Sequence, residues 1–219
     1  MKKYLLVLVA LLGLVLVGCK KEEDDNGDGN GNGNGNGNVV EITKYEGFLD
    51  ADNIYITTIG QADLPIAENL LTGAGLVVKQ HNDDDVSEAN VVSNNLLKAS
   101  DVEDQAIVIL VIGASGKGLG DAGTNLDAEL VRADEFIAKA KADKIKLVVF
   151  HLGGSGRTGQ TSDPIINKTI PAAKFSVVLN AAKNEKFMEI FVNAAKDKSD
   201  LFEFSAVAEL IEGLKVLVP

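Results

Sequence analysis

Short apolar segments alternate with longer amphipathic segments from residue 54 to the C-terminus. The apolar segments have the length of β-strands and predict strands at 54–60, 76–80, 107–113, 146–151 and 175–179, with a sixth at 201–204. The amphipathic segments predict helices at 64–72, 86–99 and 126–142, then three more: one starting at Asp163-Pro164, one striped by Phe187, Ile190, Phe191 and Ala194, and one at 206–217.

Strict alternation of strand and helix is typical of parallel sheets with right-handed crossovers. We therefore expect an α/β fold: a doubly wound, mainly parallel sheet of about five to six strands with helices on both faces, Rossmann-like or flavodoxin-like. In such sheets ligands bind beyond the carboxyl ends of the strands, where the strand order reverses. Two of the predicted strand ends carry long glycine-rich loops.

Capping patterns predict where three of the helices begin. Asp63 precedes Leu64-Pro65, Thr124 and Asp127 have the spacing of a capping box, and Asp163 precedes Pro164. These roles are structural and need no ligand.

The first glycine-rich loop spans residues 113–123 and contains five glycines in eleven residues. Backbone N–H groups near a helix start attract anions, and Lys117 adds a full positive charge. The ligand-binding candidates in this loop are Gly113, Ser115, Gly116, Lys117, Gly118 and Gly120. A Walker A sequence is absent. Gly118, Gly120 and Gly123 spell G-x-G-x-x-G, but they follow the third predicted strand, so dinucleotide binding is a weak alternative, and a long turn without a ligand is another.

The second loop spans residues 151–163, and its candidates are His151, Gly153, Gly154, Arg157, Ser162 and Asp163. Arg157 lies among glycines with little apolar surface to pack on, which indicates an anionic partner. His151 stands where its strand ends, a position that suits either a hydrogen-bonding support or a working imidazole.

Ser115 and His151 are the candidate catalytic residues if the two strands that carry them are neighbours. A serine nucleophile needs a base, and Asp121, Glu129 or Asp163 would then orient the imidazole. Neither loop has the complete G-x-S-x-G sequence of a nucleophile elbow. Glu129 and Arg132 lie three residues apart on the same helix, and the simplest interpretation of this spacing is a surface ion pair.

No metal ligand set is predicted and the cofactor, if any, is unknown. His81 with Asp83, Asp84 and Asp85 offers hard ligands, but a solvated turn accounts for this acidic segment better.

The N-terminus has the pattern of a secretory signal peptide over residues 1–18: Lys2 and Lys3, an apolar segment at 4–17, then Gly18 before Cys19. Leu16-Val17-Gly18-Cys19 resembles the lipobox of bacterial lipoproteins, in which the cysteine is acylated. Residues 19–38 read as the lipidated cysteine followed by an acidic, Gly-Asn-rich disordered linker, and residues 39–219 as a single domain. We therefore expect a chain anchored to the lipid bilayer of the cell envelope through Cys19, periplasmic or on the outer surface.

Charge and cysteine content narrow the function classes. The net charge of −11 argues against nucleic-acid binding, which depends on Lys and Arg replacing counterions on phosphate. A single cysteine leaves no disulfide to support the fold.

The loops together resemble an uncharacterised family of exported bacterial proteins, known as a domain of unknown function, over Ile54–Val218. The shared motifs are Thr58-Ile59-Gly60-Gln61, Gly113 with Ser115–Gly120, Ala122-Gly123, Glu129 with Arg132, His151-Leu152-Gly153-Gly154, Arg157, Gly159 and Ser162-Asp163. The family pattern pairs two arginines, and here the second position is Thr158. The resemblance implies a site but no activity.

Three functions remain open at this point. The first is a domain that binds a small polar, anionic ligand at the two loops. The second is a hydrolase or transferase that uses Ser115 and His151. The third is a surface scaffold whose loops contact a partner protein.

Overall fold

Seven strands form a single parallel sheet in the computed structural model, which describes residues 42–51, 53–83 and 89–219. They are β1 (Ile54–Ile59), β2 (Val78–Gln80), β3 (Val91–Ser93), β4 (Ile107–Ile112), β5 (Lys146–His151), β6 (Phe175–Leu179) and β7 (Asp200–Phe204). Their order across the sheet is β2-β3-β1-β4-β5-β6-β7, and all the pairings are parallel. The α/β doubly wound prediction is confirmed.

Six α-helices pack against this sheet in the described part of the chain. They are α1 (Leu64–Gly73), α2 (Gly116–Asp121), α3 (Leu126–Lys141), α4 (Asp163–Thr169), α5 (Glu185–Ala195) and α6 (Val207–Leu217), together with 3-10 helices at Ile42–Tyr45, Ala99–Asp101, Gly154–Arg157 and Ile170–Ala172. No helix within these described ranges has the length and hydrophobicity needed to cross a membrane. The predicted signal peptide, Cys19 and the linker lie outside the described residues.

The core has two layers, one on each face of the sheet. Phe136 and Phe191 are fully buried in one layer, and Leu71, Phe150 and Leu214 are fully buried in the other. All six residues of β4 are buried, as its continuous aliphatic sequence predicts for a central strand.

The helix predicted at 86–99 is wrong, because β3 occupies part of that segment. Val91 pairs with Ile54 of β1 on one side and Val78 of β2 on the other, so the sheet has one strand more than predicted. Val91 and Val92 are β-branched and suit a pleated strand, but a three-residue strand is too short to show a period of two.

The capping box predicted from Thr124 and Asp127 is also wrong. Asn125 is the N-cap residue of α3, and its side-chain oxygen accepts a hydrogen bond of 3.0 Å from the Ala128 N–H. Asparagine is as good an N-cap as threonine, so the shift by one residue preserves the start of the helix.

Candidate ligand-binding site

The strand order reverses between β1 and β4, and the loops that follow these two strands contact each other directly. The N–H of Gly113 donates to the carbonyl of Ile59 at 3.1 Å, and that of Ser115 donates to the carbonyl of Gly60 at 3.0 Å. Gly60 has φ of 101°, and a Cβ there would lie 2.4 Å from the Gly113 oxygen. Only glycine fits this crossing. The loops therefore meet at the topological switch point, where doubly wound sheets bind ligands.

The first glycine-rich loop is not an open turn, because residues 116–121 form α2. Ser115 is the N-cap residue of this helix, and its hydroxyl accepts a 3.1 Å hydrogen bond from the Gly118 N–H. Leu119 is buried and anchors the helix to the domain. Lys117, Gly116 and Gly120 lie on its exposed side. One of the free N–H groups expected to attract an anion is thus already occupied by Ser115.

His151 ends β5 and is fully buried. Its Nε2 lies 3.0 Å from the carbonyl oxygen of Arg157, and its ring packs against Phe187 and Phe191. Since a carbonyl only accepts, Nε2 carries the hydrogen in this contact, and Nδ1 has no hydrogen-bond partner. Burial lowers the pKa of His151, so the imidazole is held neutral and serves to fix the second loop.

Ser162 and Asp163 close the second loop and join it to the first. The Ser162 hydroxyl accepts a 2.9 Å hydrogen bond from the N–H of Ala114, and an Asp163 oxygen accepts one of 2.7 Å from the N–H of Gly159. The capping role predicted for Asp163 is displaced by one residue, because Ser162 occupies the N-cap position and Asp163 is the first residue of α4. The Asp163 carboxylate stabilises the turn before α4 through its hydrogen bond with Gly159.

Ser115 and His151 do not form a nucleophile–base pair in this structure. Their strands β4 and β5 are neighbours, as the hydrolase hypothesis requires. Within the described residues, however, the Ser115 hydroxyl bonds to Gly118 and the His151 ring to Arg157. The proposed orienting acids are elsewhere engaged or exposed: Glu129 contacts Gly60, Asp163 contacts Gly159, and Asp121 is exposed.

Asp63, predicted only as a helix cap, is instead a central residue of the site. It occupies the N-cap position of α1 with φ of 63°, and its side chain makes no capping hydrogen bond. Its Oδ2 lies 3.6 Å from Nε of Arg157, with the Asp63 side chain 10 % exposed and that of Arg157 36 % exposed. Oδ2 is buried and accepts no hydrogen bond from any described residue.

Gly113 and Gly153 form the floor beneath this pair. A Cβ on Gly153 would lie 2.4 Å from Asp63 Oδ2 and 2.1 Å from Cγ of Arg157, and a Cβ on Gly113 would lie 3.3 Å from Cβ of Arg157. The second-loop glycine thus leaves room for the Asp63–Arg157 pair. Gly154 begins the 3-10 helix that carries Arg157 and faces open space.

A second pair, Glu129 and Arg132 on α3, lies behind β1 and is buried. The Glu129 carboxylate accepts hydrogen bonds from the Gly60 N–H at 2.8 Å and from Arg132 at 2.6 Å. Arg132 also donates to the Thr57 hydroxyl, the Leu97 carbonyl and the Thr58 carbonyl. The expected ion pair is present, but it lies in the interior and holds the end of β1 in place.

A cleft of about 340 Å³ opens beside Asp63 at the carboxyl end of β1. Its lining combines polar side chains, two carboxylates and the start of α1: Thr58, Gln61, Ala62, Asp63, Leu64, Pro65, Asn95, Gly118, Asp121 and Ala122. Lys117 directly precedes one lining residue, and Arg157 pairs with another. The sequence predicts Gly118, Lys117 and Arg157 as site residues. It does not predict that Asp63, Gln61 and Asn95 line the cleft.

The metal interpretation of His81 and the adjacent aspartates receives no support. Across the described residues, no group of three or more His, Cys, Asp or Glu side chains is placed to hold a metal ion. Asp84 and Asp85 lie outside the described residues.

The comparison with protein families gives the assignment that the loops suggested. Residues 51–215 match the model of a family described as "Domain of unknown function (DUF6305)". The chain belongs to this family. The match extends from the segment before β1 into α6, so the switch point, both glycine-rich loops and both arginine–carboxylate pairs belong to the DUF6305 domain. A search of the curated proteins finds no match.

Proposed function

We propose that this DUF6305 domain binds a small polar monoanion, such as a hydroxylated carboxylate, in the cleft at the carboxyl end of β1. The observation that carries the proposal is the Asp63–Arg157 pair. Asp63 has a left-handed backbone conformation, and its buried Oδ2 accepts no hydrogen bond from a described residue. Its partner Arg157 has a side chain that is 36 % exposed. Strain and unsatisfied polar atoms of this kind are concentrated at functional sites.

Arg157 does not itself line the cleft, but it pairs with the lining residue Asp63, and we propose that it receives the anionic group. Its backbone is fixed by the bond from His151 to its carbonyl, and Asp63 lies against Nε on one side of the guanidinium. The terminal nitrogens make no hydrogen bond to a described residue. A planar guanidinium with free donors is suited to bidentate contact with a carboxylate.

The neighbouring charges favour a monoanion over a dianion. Asp63 offsets much of the Arg157 charge, and Asp121 adds a second carboxylate to the lining. Repulsion from these two groups grows with the charge of the ligand. Thr58, Gln61 and Asn95 give the cleft a polar wall, although their side chains also hydrogen-bond within this group of residues or to Glu129.

The same site offers less for the hydrolase or transferase alternative. Ser115 caps α2, and His151 is buried with its Nε2 committed to the Arg157 carbonyl. Turnover that is lost on Ser115→Ala and on His151→Gln, with the fold retained, would favour the enzyme.

A thermal-shift screen tests the binding proposal. D-gluconate, L-lactate and D-galacturonate are the monoanionic probes, D-glucarate is the dianionic probe, and D-glucitol is the neutral one. A monoanion present at about 100 times its dissociation constant should add about 2.7 kcal/mol of stability, or about 5 to 10 °C in Tm. The shift should vanish in Arg157→Gln and persist in Lys215→Gln, which removes an exposed lysine on α6. A shift that survives Arg157→Gln would contradict the proposal, as would no shift with any monoanion.

We also propose that the chain is exported and anchored to a membrane through acylated Cys19. The support is the signal-peptide pattern of residues 1–18 and the lipobox-like sequence before the cysteine. Metabolic labelling with a fatty acid should mark the wild-type chain and not Cys19→Ser. Equal labelling of both chains, or none of either, would contradict the anchor.

A further inference from the structure

A second pocket lies at the opposite end of the sheet, beside the amino ends of β5, β6 and β7. Its volume is about 270 Å³, and Ile145 and Leu147 contribute apolar surface to it. Lys141, Lys174 and Lys198 line it, and no acidic side chain of a described residue does. The chain as a whole has a net charge of −11, whereas the charged residues that line this pocket are all positive.

Helix C-termini lie near two of these lysines and leave Lys174 unexplained, since the N–H of Lys198 donates to the carbonyl of Ala195, the last residue of α5, at 2.9 Å. Lys141 is the last residue of α3, where the partial negative charge of a helix C-terminus favours a cation. Lys174 lies directly before β6, and Lys198 lies in the connection between α5 and β7. Neither of them belongs to a helix.

Ion pairing does not account for the three lysines. Lys139 and Lys144 contact Asp104, and Lys168 contacts Asp134. Within the part of the chain that the structure describes, the three pocket lysines form no such pair. All three are exposed residues, so solvent screens much of their mutual repulsion, and a bound anion would relieve what remains.

We propose that this lysine pocket binds a phosphate group. An ammonium is a compact charge with three rotatable donors and binds phosphate without needing the fixed geometry of a guanidinium. A water molecule takes up about 30 Å³ of the liquid, so the pocket accommodates a phosphate together with bridging waters.

The phosphate has two sources with the same chemistry, a free anion or a phospholipid headgroup. The 3-10 helix Ile42–Tyr45 contacts the same segment, since the Tyr45 hydroxyl donates to the carbonyl of Lys174 at 3.1 Å. The lipid anchor proposed at Cys19 would hold the domain near a bilayer, which is why the headgroup is tested alongside free phosphate.

Titration calorimetry of the full chain in detergent, with inorganic phosphate, measures the free-anion arm. Lys141→Gln, Lys174→Gln and Lys198→Gln should each weaken binding about tenfold, because each removes one charged hydrogen-bond donor. Lys168→Gln and Lys215→Gln change the net charge by the same amount away from the pocket and should leave the affinity unchanged. Arg157→Gln should also leave it unchanged, which separates this pocket from the cleft.

Hydrogen exchange on phosphatidylcholine vesicles, with and without phosphatidylglycerol, measures the headgroup arm. The triple variant combines Lys141→Gln, Lys174→Gln and Lys198→Gln. The pocket is assigned to headgroups if residues 140–147, 171–174 and 196–199 are protected only when phosphatidylglycerol is present, and if the triple variant loses this protection. Phosphate binding without that protection assigns it to the free anion. The proposal is overturned if neither is observed, or if the triple Gln variant binds phosphate as the wild type does.

Discussion

Glu129–Arg132 and Asp63–Arg157 are both arginine–carboxylate pairs at the carboxyl end of the sheet, but their surroundings differ. In the first pair the side chains are 1 % and 10 % exposed, and the two groups bond to each other and to the backbone of β1. In the second pair the charged atoms are 3.6 Å apart, and the arginine side chain is 36 % exposed. The difference indicates that the first pair holds the fold, and it supports our proposal that the second pair receives a ligand.

Two physical costs explain why the pairs are built differently. A buried charge needs hydrogen-bond partners, because each unmet group costs free energy in the interior. The Glu129–Arg132 pair has most of them, although Arg132 Nε has no partner among the described residues. A binding group must keep donors free, and the fold then tolerates an unmet oxygen such as Asp63 Oδ2.

The largest effect should come from breaking the buried pair. Glu129→Gln leaves the Arg132 charge buried without its partner and should lower the free energy of unfolding by about 3–5 kcal/mol. Urea denaturation measures this loss. Glu212→Gln, which removes one partner of an exposed pair on α6, is the matched control and should cost less than about 1 kcal/mol. Equal effects of the two substitutions would show that the burial of Glu129 carries no special weight.

Two glycines extend the comparison from side chains to backbone. Gly60 donates to Glu129 and has φ of 101°, so Gly60→Ala should cost about 1–3 kcal/mol in unfolding free energy through strain and the clash with Gly113. Gly153 has φ of −83°, and its Cβ would meet side chains that are able to move. Gly153→Ala should therefore cost less in stability and displace Arg157, abolishing the ligand-induced thermal shift. If Gly153→Ala leaves that shift intact, Arg157 is not where the ligand binds.

Acid should weaken the second loop through His151. Burial lowers the pKa of His151 in the folded state below the ordinary value of 6.5. Just below pH 6.5 this side chain is therefore protonated in the unfolded chain and neutral in the folded chain. Stability should then fall as the pH drops below about 6.5, by at most about 1.4 kcal/mol per pH unit. Urea denaturation at a series of pH values should show a weaker loss in His151→Gln and the wild-type loss in His81→Gln. An acid loss of the same size in both variants would rule out His151 as its source.

The smallest effect should be a change in ligand preference. Asp63→Asn keeps a residue that accepts the left-handed conformation but removes the carboxylate charge beside Arg157. D-glucarate should then bind several-fold more tightly relative to D-gluconate, because less repulsion opposes a dianion. Competition titrations measure this ratio. A ratio that does not change would argue against charge as the basis of the monoanion preference.

The sequence patterns predict most of the fold because most of its strands are continuous apolar segments and its helices are amphipathic. They fail at β3, where three residues carry no readable period, and at α2, whose glycines suggest a loop although Ser115 and Leu119 support a helix. Both failures lie where tertiary contacts decide the local conformation.

The candidate site could be predicted in part. Loop composition identifies Arg157, Lys117 and the glycines, since close backbone approach at a strand end needs residues of these types. It does not identify Asp63, because an aspartate before Leu-Pro fits a helix cap and only the three-dimensional fold turns its side chain toward Arg157. The same holds for Glu129 and Arg132, whose spacing of three is compatible with a surface pair as well as a buried one.

Urea unfolding of two double variants tests the division between the pairs most directly. Asp63→Asn with Arg157→Gln removes both charges of the exposed pair, and Glu129→Gln with Arg132→Gln removes both charges of the buried one. We expect the first double variant to unfold within about 1 kcal/mol of the wild type. The second should lose several kcal/mol, because the polar network around β1 is then incompletely bonded. A first double variant as unstable as the second would contradict the account, since Asp63 and Arg157 would then be holding the fold.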